Sequence, residues 1–147
     1  MSNWAEEQAA FMVACGQSVG QMDYEQARLY ADLVEEEAHE TMLAADGLYG
    51  PFPGEPEWAG EPDKESLIQS VAELADGAID TIYVCLGLLH SIGIDPQKAW
   101  DEVQRSNLAK VDPETGKVRK RDDGKVLKGP DWVPPDMARV VRESWGL

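Results

Sequence analysis

The chain has 147 residues, a length that suits one domain with a real core and leaves burial to be gained by self-association. Asp and Glu number 28 against 13 Lys and Arg, a formal net charge of −15, which disfavours attraction to nucleic acid or to an anionic membrane over most of the surface. Cys15 and Cys85 lie in apolar segments without CxxC spacing, and neither a signal-like leader nor an apolar run of about 18 residues is present, so a reduced, soluble, cytoplasmic protein is expected.

Helix formers dominate the first two thirds and nothing there alternates with period two, which makes the expected class all-α. Asn3 to about Val19 carries Trp4, Phe11, Met12 and Cys15 among alanines and glutamates, predicting a first packing helix with Gly16 and Gly20 near its end. A second helix is predicted from Asp23, an N-cap with Gln26 in capping-box spacing, to Ala45, where Asp46-Gly47 stops it. Residues 48–63 hold four prolines and three glycines and read as a loop whose aromatics, Tyr49, Phe52 and Trp58, tether it or cover a base.

The third helix is predicted from Asp63 or Ser66 to about Ser91, with Leu67, Ile68, Val71, Ala75, Ile79, Ile82, Leu86 and Leu89 on one face. From Ile82 to Leu89 it is apolar all round, so it needs cover on both sides, and a second subunit is the natural source. Gly77 and Gly87 permit close approach by another helix or a ligand. Gly93 ends this helix, Asp95-Pro96 opens a fourth that runs to about Ala109, and four helices make a bundle. Residues 110–135 form a basic, irregular tail in which turn signals at Asp112 to Gly116 and Asp122 to Gly124 leave room for a short β-hairpin. Seven of the 13 basic residues lie between Lys110 and Lys128. Residues 136–146 hold a short terminal helix, Met137 to Trp145, and 1–147 is expected to form a single domain.

Two acidic stripes carry the chemistry. At about 100° per residue, Glu37 and Glu40 fall inside the apolar face of the second helix, Glu36 falls on its edge, and only Glu35 points away. On the third helix Glu73, Asp76 and Asp80 follow an i, i+3, i+7 spacing. Like charges about 5 Å apart repel by roughly 3 kcal/mol at an effective dielectric near 20, so acids crowded on an inward face call for a neutralising cation. Facing each other across an antiparallel pair, the stripes would assemble an all-oxygen cage suited to Mg2+ or Mn2+. No EF-hand spacing favours Ca2+, no Cys and His grouping suits zinc, and His39 and His90 are isolated and read as structural or surface residues. A divalent cation together with clustered Lys and Arg is what phosphoanhydride chemistry needs, and a glutamate not spent on coordination would orient or deprotonate the attacking water. No GxxxxGK[ST] loop is present, which excludes the P-loop route. The basic tail reads equally as a solvated hairpin balancing the acidic helices.

E-E-E-A-H-E at residues 35–40, E-L-A-D at 73–76 leading into D-T-I-Y-V-C-L-G, R-S-N-L-A-K at 105–110 and D-G-K-V-L-K-G-P at 123–130 together resemble the MazG-like nucleotide pyrophosphohydrolases. These belong to the all-α NTP pyrophosphatase superfamily, which also holds phosphoribosyl-ATP pyrophosphohydrolase and the dimeric dUTPases. The resemblance implies a four-helix bundle of that type, acting as a homodimer or homotetramer. It implies cleavage of a nucleoside triphosphate between its α and β phosphates, giving the monophosphate and pyrophosphate. Mg2+ or Mn2+ would be held by Glu36, Glu37 and Glu40, which are also the catalytic candidates, with Glu73, Asp76 and Asp80. Asn107 and Lys110 would touch the nucleotide, and Lys125 and Lys128 its phosphates. Two features depart from the family pattern. The gap from Glu40 to Glu73 is long, and a second alignment makes Asp80 the motif aspartate, with Gly77 where the first acid should be. Glu73, Asp76 and Asp80 therefore all stand as candidates. Other readings are a phosphoribosyl-ATP or dUTP hydrolase of the same superfamily, and a non-catalytic acidic helical protein that mimics DNA; the mimic would spread its acids outward rather than turn several inward.

Overall fold

The computed structural model describes residues 3–49, 63–129 and 131–147. Its helices are α1 (Trp4–Ala14), α2 (Tyr24–Tyr49), α3 (Lys64–Ser91), α4 (Pro96–Leu108) and α5 (Met137–Trp145). Among the described residues there is no strand, and the class is all-α. The expected loop with Phe52 and Trp58 lies outside the described residues, as does the side chain of Tyr49. Among the described residues no helix is long and apolar enough to cross a membrane.

Local chemistry fixes most helix starts. Asn3 caps α1 by accepting from the Ala5 N–H at 3.1 Å, Asp63 caps α3 by accepting from Glu65 and Ser66, and Asp95 caps α4 ahead of Pro96. Asp136 caps α5, which ends on left-handed Gly146. Three expectations need correction. α1 stops at Ala14, short of Val19, because Gly16 turns the chain at φ +74°; of its expected packing residues only Met12 is buried, while Trp4, Phe11 and Cys15 are exposed. α2 runs through Asp46-Gly47 to Tyr49, because Gly47 does not take the left-handed conformation that would end it. The capping box at Asp23 closes on one side only: Asp23 accepts from the Gln26 N–H at 3.0 Å. The Gln26 amide instead donates to the Ser18 carbonyl and Ser91 Oγ, each at 2.8 Å, tying the start of α2 to the end of α3.

The chain divides into two compact units, Met1–Ile92 and Gly93–Leu147. In the first, α2 and α3 form a long antiparallel hairpin, as the facing pairs Gln26 with Ser91, Tyr30 with Gly87 and Thr41 with Gly77 require. Met12, Tyr30 and Val84 make its core, with Val19, Leu33, Val34 and Leu88 against them. The Tyr30 ring occupies the space a Cβ at Gly87 would need. His90 is buried, with Nε2 3.0 Å from the Ala5 carbonyl, which ties α3 to α1. The outer apolar face of α3 is uncovered: Leu67, Ile68, Val71, Ile79 and Ile82 are 41 to 52% exposed.

In the second unit α4 and α5 meet around Glu102, which is only 4% exposed. Its carboxylate accepts from Arg105 Nη2 at 2.7 Å, from Arg139 Nη2 at 2.6 Å and from the Asp136 N–H at 2.7 Å. Between the helices the turns at Asp112 to Gly116 and Arg121 to Gly124 form as expected, with Gly116 and Gly124 at positive φ. Each closes a single antiparallel bridge, Val111 with Val118 and Lys120 with Val126, so the hairpin does not grow into strands. Charge is divided unevenly. The first unit sets 18 acids against Arg28 and Lys64 alone, a net of −16, and the second sets 10 acids against 11 basic residues.

Candidate active site

The acids sit where α2 and α3 come closest. At Gly77 a Cβ would stand 2.8 Å from Thr41 Oγ1 and 3.2 Å from Thr41 Cα, so only glycine admits this crossing. Thr41 Oγ1 donates to the Glu37 carbonyl at 2.8 Å and lies 3.1 Å from Thr81 Oγ1, which donates to the Gly77 carbonyl at 2.9 Å. These bonds fix the register that carries Glu37, Glu40, Asp76 and Asp80 on either side of the crossing. Gly77 is thus a contact point between helices rather than a position from which a ligand could reach out.

Beside the crossing lies an open groove of about 380 Å3, lined by Glu40, Leu43, Ala44, Glu73, Asp76, Gly77 and Asp80. Glu37 is the half-buried acid, whereas Glu36, Glu40, Glu73, Asp76 and Asp80 are exposed. The inward reading therefore holds for Glu37 and is corrected for Glu40, which lies at the rim. Desolvation pushes the Glu37 carboxyl above the usual carboxylate range, and the charges of Asp80, Glu40, Glu36 and Asp76 push it further the same way. Among the described residues none of these six acids has an ion-pair partner, and Glu73 accepts only from Gln69 Nε2 at 2.9 Å. Among the described residues no three acidic, histidine or cysteine side chains are gathered tightly enough to hold an ion as they stand. The donor set, all carboxylate oxygen with an uncompensated field, matches a hard divalent cation in chemistry. Holding one would require the exposed side chains at the rim to swing inward.

The basic candidates lie in the second unit. Asn107, on the last turn of α4, accepts from Lys110 Nζ at 2.7 Å. Lys128 Nζ stands 3.8 Å and Lys110 Nζ 5.9 Å from the centre of the Trp132 ring. Lys110 and Lys128 thus share one indole, and Asn107 joins them through Lys110. Lys125 is exposed and has no place in that cluster. Trp132 was not among the sequence candidates, and its only early signal was an aromatic residue just past the basic run. Glu102 was missed as well: Arg105 lies three residues on, but Asp136 and Arg139, which complete its cluster, are far along the chain.

An all-α fold whose central hairpin sets Glu40 of α2 beside Glu73, Asp76 and Asp80 of α3 along one groove fits the all-α NTP pyrophosphatase class. The model of the phosphoribosyl-ATP pyrophosphohydrolase family matches residues 18–107, which is 90 of the 147, and the chain belongs to that family of pyrophosphohydrolases. The match takes in all six acids and Asn107, crosses the division at Ile92, and ends short of Lys110, Lys125 and Lys128. No curated protein matches the chain.

Proposed function

We propose that the protein hydrolyses a nucleoside triphosphate between its α and β phosphates, with Mg2+ or Mn2+, to give the monophosphate and pyrophosphate. The observation that carries this reading is Glu37, half-buried at the crossing of α2 and α3, where the charges of Asp80, Glu40, Glu36 and Asp76 bear on it and, among the described residues, no lysine or arginine pairs with any of these acids. Glu36, Glu37, Glu40, Glu73, Asp76 and Asp80 are the residues that would hold the ion. When bound, a divalent cation supplies charge neutralisation at the phosphate oxygens and polarises water. The oxygen of water attacks the α phosphorus, the bond to the bridging oxygen breaks, and pyrophosphate leaves. A glutamate of this set not spent on coordination, with the half-buried Glu37 as the first candidate, takes the proton from the attacking water. Asn107, Lys110, Lys125 and Lys128 are the proposed nucleotide and phosphate contacts.

A second reading, phosphoribosyl-ATP as the particular substrate, is favoured by the family match itself. It uses the same bond and the same residues. The uncovered face of α3 supports a homodimer or homotetramer, in which a second copy buries Leu67, Ile68, Val71, Ile79 and Ile82. The free thiols of Cys15 and Cys85 suit a cytoplasmic setting. The test is a panel of ribo- and deoxynucleoside triphosphates with phosphoribosyl-ATP, assayed with Mg2+ or Mn2+ for pyrophosphate against orthophosphate. Pyrophosphate from at least one substrate is expected. Orthophosphate alone from all of them would place the attack on the terminal phosphate and overturn the assignment.

A further inference from the structure

Trp132 is pinned more firmly than its place beside a basic tail would suggest. Its indole N–H donates to the Ser106 carbonyl at 2.9 Å, and Ser106 Oγ, on a residue 2% exposed, donates to the Val133 carbonyl at 3.0 Å. These two bonds lace residues 132 and 133 to the last turn of α4. The ring then meets Lys128 Nζ at 3.8 Å and Lys110 Nζ at 5.9 Å from its centre. Among the described residues neither ammonium is paired with a carboxylate, although the chain carries 28 acids. Among the described residues only Arg105, Arg121 and Arg139 form ion pairs, so these two lysines share their lack of an acid with the other basic residues and differ in having one ring in common. A neutral π face and the Asn107 amide hold the two lysines without cancelling their charge.

We infer that Trp132 is a positioning residue that fixes Lys110 and Lys128 as one anion-binding pair for a polyphosphate chain. The inference rests on the proposed reaction for its substrate, and it adds the residue that organises the phosphate contacts. Lys128 already covers the ring at van der Waals distance, so the ring serves ammonium groups rather than stacking a base.

The experiment uses the full chain and inorganic tripolyphosphate as the probe, with binding followed by the 15N-indole resonance and by calorimetry. Steady-state kinetics on whichever nucleotide is turned over run in parallel. Trp132→Leu and Lys128→Ala should each weaken tripolyphosphate binding by roughly threefold to tenfold, the size expected when a cation–π contact or a phosphate contact is lost. The double variant should be no weaker than the poorer single, since the two act as a unit. Trp132→Phe keeps an aromatic face but loses the N–H and the second ring, and should bind tripolyphosphate clearly more tightly than Trp132→Leu, in which KM, not kcat, rises. Helix content and Tm serve as folding controls. Equal losses in the Phe and Leu variants would mean that only the Ser106 anchor matters, and would overturn the inference. So would weakened nucleotide binding with tripolyphosphate binding untouched, which would make the ring a base platform. If no nucleotide is hydrolysed but tripolyphosphate follows the expected pattern, the anion pair stands and the proposed reaction falls.

Discussion

Glu37 is held between two helices where Asp80, Glu40, Glu36 and Asp76 all make its ionised form more costly. Its folded-state affinity for protons exceeds the unfolded one, so ionisation takes stability away as pH rises past the ordinary carboxylate range. Glu37→Gln should therefore melt above the parent at pH 7 in a chelator while losing at least about 100-fold in turnover. A lower Tm with activity intact would remove Glu37 from the mechanism. Helical phase placed this residue on the inward face together with Glu40, with Glu36 on the edge. The same arithmetic misplaced Glu40, since phase says which way a side chain leaves the helix and not how far the neighbouring helix reaches to cover it. Trp132 and Glu102 were illegible for a different reason. Ser106 is remote from Trp132 and Arg139 from Glu102, and the i,i+3 spacing of Glu102 with Arg105 by itself reads as an ordinary surface pair.

Elements were easier to read than their partners. Asp136 caps α5 although nothing marked it beforehand, whereas the starts of α3 and α4 were legible from Asp63 and Asp95-Pro96, where a side chain answers N–H groups two or three residues on. The end of α2 was not, because Gly47 stays right-handed in a helix supported along its length by α3. The crossing itself makes a testable demand. Gly77→Ala would set a methyl against the Thr41 backbone, which cannot turn aside as a side chain end would, and should cost about 1 to 3 kcal/mol, read from denaturant unfolding. An unchanged midpoint would mean that the helices part without penalty. Glu102 makes a demand on α4 and α5. Its hydrogen bonds to Arg105, to the Asp136 N–H and to Arg139 hold its carboxyl at about 2 against an ordinary 4.5. A depressed folded value gives stability that is complete above about 4.5 and is lost as pH falls toward about 2. Glu102→Gln should unfold more readily than the parent at pH 7, and the gap between them should close across that acid window. A constant gap from neutrality to pH 2 would assign the loss to packing instead.

For the molecule as a whole, class was legible from composition and period, whereas the division at Ile92 was not, since Gly93 looks like any helix stop. The family match runs across that division, over α2, α3 and all but the last residue of α4. The uneven split of charge, 18 acids against two bases in the first unit, has a kinetic consequence. A free polyphosphate diffusing toward such a body is turned back well before contact, at ranges near the Debye length of about 10 Å in 0.1 M salt. Encounter should thus be throttled in dilute buffer. Raising salt from about 0.01 to 0.15 M at fixed free Mg2+ should raise kcat/KM severalfold, the reverse of the steering seen when opposite charges meet. A fall instead would show that the two ammonium groups on Trp132, and not the acidic bulk, govern how substrate arrives.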